Sequence, residues 1–144
     1  MIRGPLTHPG LLGALAAAGH GSQVLIADAL YPHATGASRH VPRVYLNLTA
    51  GLVPAADVLG LVAETVHVEA ATFMLTADGG TSAPVREFQS QLQDRRHGSG
   101  EHVAWSGLPR NEFYAACRGE DLCLLIATGE VRPYANLLLT VGVP

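Results

Sequence analysis

The chain has 144 residues, of which 48% are hydrophobic and 15% charged, and its formal net charge is −3. This length predicts one domain, residues 1–144, with a sizeable core and no room for a separate cofactor domain. The nine basic residues are all arginines without a basic stripe, and no apolar run reaches the roughly 20 residues of a membrane span, so we expect neither nucleic-acid nor membrane partners.

Helix and strand patterns alternate along the first half of the chain. Pro9 suits the first turn of a helix, with His8 near its cap, and Gly19 ends that helix. The predicted elements are, in chain order, a helix at 9–19, a buried strand at 24–27, a loop at 30–40, a strand at 44–46 with residue 48, a helix at 54–65 and a β-branched-rich strand at 67–75.

The second half continues this alternation without a linker or an internal repeat. Its predicted elements are a turn at 78–80, a helix that begins at 82–84 and includes Arg95, a break at 97–100, a strand at 103–105, a helix at 110–117 and strands at 122–127 and 137–141. Helices between continuous apolar strands predict an α/β fold with three α/β/α layers and a largely parallel central sheet. In such sheets, ligands bind at the carboxyl ends of the strands.

His20 and Asp28 flank the first predicted strand and are the first candidates for a functional site. His20 stands between two glycines, and Asp28 ends the apolar run at 24–27. An imidazole and a carboxylate that meet one small ligand are suited to acid–base chemistry. Each residue also has a structural explanation, because His20 at a helix C-terminus can cap carbonyls and Asp28 can form an Asx turn. The sequence leaves open whether both residues reach the same edge of the sheet.

Tyr134 and Asn136 precede the last predicted strand, two residues apart in extended or turn backbone, and form a second pair of candidates. Side chains two residues apart in extended backbone face the same way. A phenol and an amide together offer the donors and acceptors that suit sugar hydroxyls. The alternative is a turn Asn beside a packed Tyr.

Cysteine usage, charge content and the N-terminus bear on the compartment and the oligomeric state. Cys117 and Cys123 lack a CxxC spacing, which predicts reduced, buried thiols rather than a zinc site. The N-terminus lacks the apolar core of a signal peptide, so we expect a cytoplasmic protein. A small domain with few charges often hides apolar surface in an oligomer, so we expect neighbouring subunits.

Motifs in register run from about residue 4 to residue 143. They are Pro9-x-Leu11-Leu12-x-Ala14-Leu15, Gly19-His20-Gly21, Ala27-Asp28-Ala29, Arg110-x-x-Phe113-Tyr114, Thr128-Gly129-Glu130, and Tyr134-Ala135-Asn136-Leu137-Leu138-Leu139 with Gly142-Val143. In order and spacing, this set resembles the RbsD/FucU family, the D-ribose pyranases and L-fucose mutarotases. No single motif is decisive, but the set in register is a specific resemblance.

The resemblance implies a cofactor-free enzyme that interconverts the cyclic forms of a monosaccharide before a kinase or isomerase uses it. By position in the motifs, His20 is the catalytic acid/base, and Asp28 binds the substrate or supports His20. Arg110, Tyr134 and Asn136 are sugar contacts by the same carry-over. Family members form ring-shaped oligomers, decamers in known cases, with sites close to subunit boundaries, which implies a homodecamer here.

Features of both branches of the family occur in this chain. The segment Arg110-x-x-Phe113-Tyr114 resembles the fucose branch. Tyr134-Ala135-Asn136 and the stretches 47–53 and 68–71 are more similar to the ribose branch. We therefore expect an L-fucose mutarotase, with a D-ribose pyranase as the alternative.

The reaction also fits the residues independently of the resemblance. Opening a hemiacetal ring needs one group to take the anomeric hydroxyl proton and another to protonate the ring oxygen, and both roles reverse on closure. Histidine, which ordinarily titrates at about pH 6.5, is suited to both directions. The chemistry requires no cofactor, and we expect none.

Two other classes of function remain open. A metal site would use His20, Asp28, His33 and His40, which have suitable ligand types but no regular spacing such as HExxH, so we expect no metal. His33 is either a second proton carrier beside Asp28 or an exposed loop residue, and we favour the loop residue. A non-catalytic sugar-binding or transport-associated subunit would recognise sugar in the same pocket without turnover.

Overall fold

The structure is a computed structural model, and it describes residues 1–94 and 102–144. The helices are α1 (Pro9–Ala17), α2 (Ala55–Thr65), α3 (Ala83–Asp94) and α4 (Arg110–Ala116). The strands are β1 (Gln23–Ala27), β2 (Arg43–Tyr45), β3 (Val68–Met74), β4 (Ala104–Leu108), β5 (Leu122–Ala127) and β6 (Leu137–Val141). These elements follow the predicted order, and the predicted helical Arg95 and the break at 97–100 lie outside the described residues.

The strands of the described ranges form one sheet in the order β2-β5-β1-β6-β3-β4. The neighbours β1 and β5, β2 and β5, and β3 and β4 are parallel, whereas β6 runs antiparallel to both β1 and β3. The sheet is therefore largely parallel, as predicted, with one strand of opposite direction inside it. Because β6 runs the other way, the segment before it meets the carboxyl ends of the other strands. We call this side of the sheet the carboxyl edge and the opposite side the amino edge.

Hydrophobic cores on the two faces of the sheet confirm the three α/β/α layers. In β1, Val24 and Ile26 pack with α1, α2 and α3. Leu25 and Ala27 pack on the other face with α4, whose Phe113 is fully buried. The faces differ because successive side chains of a strand point to opposite sides.

Two strands differ in extent from their predictions. The fourth strand is predicted to end at Trp105, but β4 continues to Leu108. Ser106 and Gly107 have little strand propensity, and their pairing with β3 holds them in the sheet. β2 ends at Tyr45, short of the prediction, and Leu48 is 82% exposed.

Arg43, at the start of β2, fixes the loop that connects β1 to β2. Its guanidinium donates hydrogen bonds to the carbonyl oxygens of His33, Ala37 and Val41 at 2.8, 2.9 and 2.7 Å. A guanidinium has five N–H donors, so one side chain can satisfy several carbonyls that no strand pairs. The loop thereby holds Tyr31, which is 4% exposed, against the carboxyl edge.

Two expectations from the sequence concern the cysteines and the lengths of the helices. Both cysteines are free thiols; Cys117 is buried, as predicted, whereas Cys123 is half-buried rather than buried. Burial raises the pKa of the Cys117 thiol to about 11, which disfavours the reactive thiolate. Across the described ranges, the helices are too short or too polar to cross a membrane.

Candidate active site

A cavity of about 180 Å³ opens at the carboxyl edge of the sheet. Its wall includes four of the residues proposed from the sequence, namely Asp28, Arg110, Tyr134 and Asn136. Asp28 follows β1, Arg110 begins α4 directly after β4, and the other two precede β6. The antiparallel direction of β6 is what brings its leading residues to the ends of β1 and β4.

Asp28 and Asn136 bind each other through two hydrogen bonds. The backbone N–H of Asp28 donates to Asn136 Oδ1 at 2.8 Å, and Asn136 Nδ2 donates to Asp28 Oδ2 at 3.0 Å. Two backbone N–H groups also donate to the Asp28 carboxylate. Ala135 donates to Oδ2 at 3.2 Å, and Leu30 donates to Oδ1 at 3.0 Å. The Leu30 contact is the Asx turn considered above, so Asp28 has both a structural role and a place in the cavity.

The environment of Asp28 opposes its ionised form. Its side chain is nearly inaccessible, with 2% exposure for the residue. Burial raises the pKa of Asp28, and the hydrogen bonds from the backbone of Ala135 and Leu30 offset only part of that rise. The carboxylate therefore takes up a proton more readily than an exposed aspartate does.

Arg110 and Tyr134 form a second polar part of the cavity wall. Arg110 Nη2 donates to the Tyr134 hydroxyl at 3.2 Å, and its guanidinium carbon lies 5.6 Å from the centre of the Tyr134 ring. This geometry combines a hydrogen bond with a cation–π contact. Tyr134 has a positive φ of 57° and lies in a turn, so of the two backbone conformations considered from the sequence, extended or turn, the structure has the turn. The turn nevertheless places both at the cavity.

Sequence reasoning did not propose the five apolar and aromatic residues of this wall, which are Leu30, Tyr31, Met74, Tyr114 and Pro133. Tyr114 lies four residues after Arg110 on α4, a spacing that puts the two side chains on the same helix face. Tyr31 meets Tyr114 edge to face, with ring centres 5.6 Å apart. The helical spacing is the signal that could have identified Tyr114, whereas Tyr31 lies in an irregular loop.

His20 lies at the amino edge, away from this cavity. It precedes β1, while Asp28 follows β1, and the five residues of that strand span about 16 Å at roughly 3.3 Å per residue. The question that the sequence leaves open therefore has its answer within one chain, where His20 and Asp28 lie at opposite edges of the sheet. His20 is exposed, and its Nε2 donates to Glu69 Oε2 at 3.1 Å.

The four residues weighed as a metal site do not come together. His20 lies at the opposite edge from Asp28, and His40 is exposed. His33 is half-buried rather than exposed, and its Nε2 donates to the backbone carbonyl of Asp28 at 2.7 Å. In the described part of the chain, no cluster of three or more His, Cys, Asp or Glu side chains could hold a metal ion.

A second cavity, of about 420 Å³, adjoins the first. Arg110 and Tyr134 line both cavities, so their pair forms the wall between them. The remaining wall comes from the segment after β3, including Thr76 and Gly79, and from Pro109.

Comparison with known proteins identifies the family. Residues 1–144 match the model of the RbsD / FucU transport protein family. The D-ribose pyranase of Paracidovorax citrulli is 34% identical over 143 residues, 99% of this chain and 98% of that protein. The L-fucose mutarotase of Histophilus somni is 30% identical over 149 residues, covering 99% and 97% of the two chains. The structure of Bacillus subtilis RbsD complexed with D-ribose aligns with a TM-score of 0.80 and 25% identity, over 100% of this chain and 99% of that chain. The chain therefore belongs to the RbsD/FucU family.

Proposed function

We propose that this chain is a cofactor-free monosaccharide mutarotase that interconverts the cyclic forms of a sugar such as L-fucose. The observation that carries the proposal is the convergence of Asp28, Arg110, Tyr134 and Asn136 on one cavity. Membership of a family with a named D-ribose pyranase and a named L-fucose mutarotase supports it. D-ribose pyranase activity is the alternative within the same chemistry.

The cavity offers hydrogen-bond donors and apolar surface to a sugar. Asn136 Nδ2 has two hydrogens, of which one goes to Asp28. Arg110 gives one hydrogen to Tyr134 and carries four more N–H donors. Tyr31, Met74 and Tyr114 supply apolar surface for the carbon face of a sugar ring. The arrangement is that of a small polar-ligand pocket, with a few fixed polar groups on an apolar wall.

Ring opening breaks the bond between the anomeric carbon and the ring oxygen. A base removes the proton of the anomeric hydroxyl, the oxygen electrons form the carbonyl, and an acid donates a proton to the ring oxygen. Closure reverses both transfers and can occur on either face of the carbonyl, which exchanges the anomers. We assign the main acid/base role to His20, for which a contribution of roughly 10²–10⁴-fold is expected.

His20 reaches the cavity, in this proposal, from a second copy of the chain. Its position at the amino edge excludes a contact with Asp28 in the same chain, while its side chain is 60% exposed and projects from the surface. A homo-oligomer, a decamer by resemblance to the family, would place the amino edge of one subunit against the carboxyl edge of the next. Such a head-to-tail contact closes into a ring when the rotation between subunits allows it.

Exposed apolar side chains at the carboxyl edge support this oligomer. They follow the carboxyl ends of β1, β2 and β5 or lie at the end of β2, and they are Leu30, Tyr45, Leu48, Leu52 and Val131. Each is at least 48% exposed in the single chain. Large apolar residues concentrated beside a polar cavity are typical of a surface that another subunit covers.

The free thiols support a reducing compartment, and we propose that the protein acts in the cytoplasm. Cys117 and Cys123 form no disulfide in the structure. Disulfides are rare in the cytosol, where thiols are kept reduced.

NMR magnetisation exchange between sugar anomers tests the reaction. L-fucose and D-ribose are each measured with wild type, with His20→Ala, and with His40→Ala, which removes another exposed histidine. We expect acceleration of exchange for one sugar, lost in His20→Ala and kept in His40→Ala. Binding of a sugar without acceleration would identify a non-catalytic sugar-binding subunit instead.

Complementation between two inactive variants tests the shared site. His20→Ala and Asp28→Asn are expected to be inactive separately. In oligomers assembled from an equal mixture, about a quarter of the sites would combine the native His20 of one subunit with the native Asp28 of another. Recovery of about that fraction of wild-type activity supports the proposal, and no recovery contradicts a site between subunits.

A further inference from the structure

Tyr134 is held in a backbone conformation that an L-residue adopts at a cost. Its φ of 57° is the one positive value among the non-glycine residues described. A bulky residue with positive φ marks strain that the surrounding contacts must hold in place. The contacts that hold this turn therefore decide where the Tyr134 phenol lies.

Both ends of the turn are anchored to neighbouring elements. Before Tyr134, Arg132 donates to Glu130 Oε1 through Nε at 2.9 Å and to Glu87 Oε2 of α3 through Nη1 at 2.8 Å. After Tyr134, the backbone N–H of Ala135 donates to the Asp28 carboxylate. These anchors fix the turn on either side of Tyr134.

Ser82 contacts Tyr134 itself. Its hydroxyl donates to the Tyr134 carbonyl oxygen at 2.8 Å. The Ser82 hydroxyl oxygen in turn accepts a hydrogen bond from the backbone N–H of Val85 at 3.4 Å, which makes Ser82 the N-cap of α3. Ser82 is 9% exposed, so this hydroxyl ties the start of α3 to the turn away from bulk water.

We propose that Ser82 is a positioning residue for Tyr134, and that its hydroxyl keeps the phenol of Tyr134 in the wall of the sugar cavity beside Arg110. The bond acts on the carbonyl oxygen of Tyr134 and so fixes the orientation of the peptide group at the positive-φ residue. The inference rests on the proposed function, because it assigns Ser82 a part in the binding of that sugar.

Substitutions at Ser82 separate the two hydrogen bonds. Ser82→Ala removes both, whereas Ser82→Asp retains an acceptor for Val85 and cannot donate to Tyr134 when ionised. Ser82→Thr keeps both functions of the hydroxyl. Ser90→Ala is the matched control, because Ser90 lies exposed on α3 and its hydroxyl donates to the carbonyl oxygen of Arg86 in the same helix.

Anomer exchange measured over a range of sugar concentrations gives the first readout. We expect kcat/KM to fall by about tenfold in Ser82→Ala and Ser82→Asp, chiefly through KM, and to stay near wild type in Ser82→Thr and Ser90→Ala. In a Tyr134→Phe background, the loss caused by Ser82→Ala should shrink, because Ser82 acts through the phenol of Tyr134. Equal losses in both backgrounds overturn the inference and indicate a purely structural Ser82.

The position of Tyr134 is also measured without catalysis. In protein carrying ¹³C-labelled tyrosine, Tyr134→Phe identifies the Tyr134 ring signal among those of the four tyrosines. That signal should move in Ser82→Ala and Ser82→Asp, and stay in place in Ser90→Ala. If the wild type accelerates no exchange, the proposed function fails and the ring signal still tests the positioning. An unmoved signal in Ser82→Asp contradicts the inference whatever the activity.

Discussion

Asn136 gives one hydrogen to the carboxylate of Asp28 and takes another from the backbone N–H of the same residue. Because the amide uses its nitrogen and its oxygen toward one partner, its orientation is determined by the hydrogen bonds. Asp28 follows β1 and Asn136 precedes β6, and these adjacent antiparallel strands place both residues in the cavity wall. The contact therefore joins the sheet to the proposed sugar site.

Asn136→Asp should destabilise the protein strongly at neutral pH. The substitution removes a donor to Asp28 and places a second carboxylate beside it, where Asn136 is only 4% exposed. Buried like charges without a partner cost about 2–5 kcal/mol. The deficit should decrease on acidification, because protonation of one carboxyl removes the repulsion and restores a donor.

Urea denaturation of this variant at several pH values measures the effect. Asn111→Asp, at an exposed position on α4, is the control with the same chemical change. A free energy of unfolding for Asn136→Asp equal to that of the control would show that the pair does not hold the two strands together.

Glu69→Ala should lower activity with little change in stability. Glu69 accepts the Nε2 hydrogen of His20, which leaves Nδ1 as the nitrogen free for proton transfer. In the single chain both side chains are well exposed, 60% and 41%, so their pairing contributes about 0–1 kcal/mol to the stability of that chain. We expect a rate loss of about tenfold, the equivalent of one hydrogen bond, which is smaller than the loss in His20→Ala.

Anomer exchange and thermal unfolding are measured side by side for this prediction. Glu69→Gln retains an acceptor and should recover most of the activity. Glu120→Ala removes another exposed glutamate and should match wild type. If Glu69→Ala also matches wild type, Glu69 has no part in orienting His20.

Glu130 should make stability depend on pH in the acid range. Burial alone raises the pKa of Glu130, but the hydrogen bonds and charge of Arg132 outweigh it and bring the pKa below the ordinary 4.5. A carboxyl with a depressed folded-state pKa contributes stability that is fully present above the unfolded pKa. That contribution is lost as the pH falls from about 4.5 through the lower folded-state value, because the unfolded chain binds the proton first.

The contribution of Glu130 is measured as the difference in free energy of unfolding between wild type and Glu130→Gln. We expect the wild type to be more stable near neutral pH and its advantage to shrink as the pH falls below 4.5. Asp28, whose pKa burial raises, has the opposite sign and is present in both proteins, so it cancels from the difference. A difference that grows on acidification would contradict the assignment to Glu130.

The strands and their layers could be predicted because local sequence patterns indicate them. The apolar run at 122–127 has the same bounds as β5, and residues 137–141 the same as β6. The direction of β6 was not predicted, although the sequence holds a signal for it. Only the nine residues 128–136 separate β5 from β6, without a helix, and a parallel crossover needs a dozen or more.

The site could be predicted only in part, for a geometric reason. Asp28, Arg110, Tyr134 and Asn136 lie in segments that meet the carboxyl edge, so motif reasoning identified a real cluster. His20 comes before β1 and therefore belongs to the opposite edge, which the strand between it and Asp28 already implies. Ser82 and Glu69 form hydrogen bonds with residues 52 and 49 positions away, and no local pattern reveals such partners.

The internal position of β6 has a consequence for the way the chain folds. β6 is the last described strand along the chain, yet it joins β1 to β3. Until it is in place, both neighbours present unpaired backbone that could recruit a foreign strand. When β6 pairs with β1, residue 140 comes to lie opposite residue 23, which closes a very long loop. Contacts between residues so distant in the sequence form slowly. The sheet is thus completed in the same late event that brings Tyr134 and Asn136 to Asp28, so a nascent chain has no sugar pocket until its final strand has inserted.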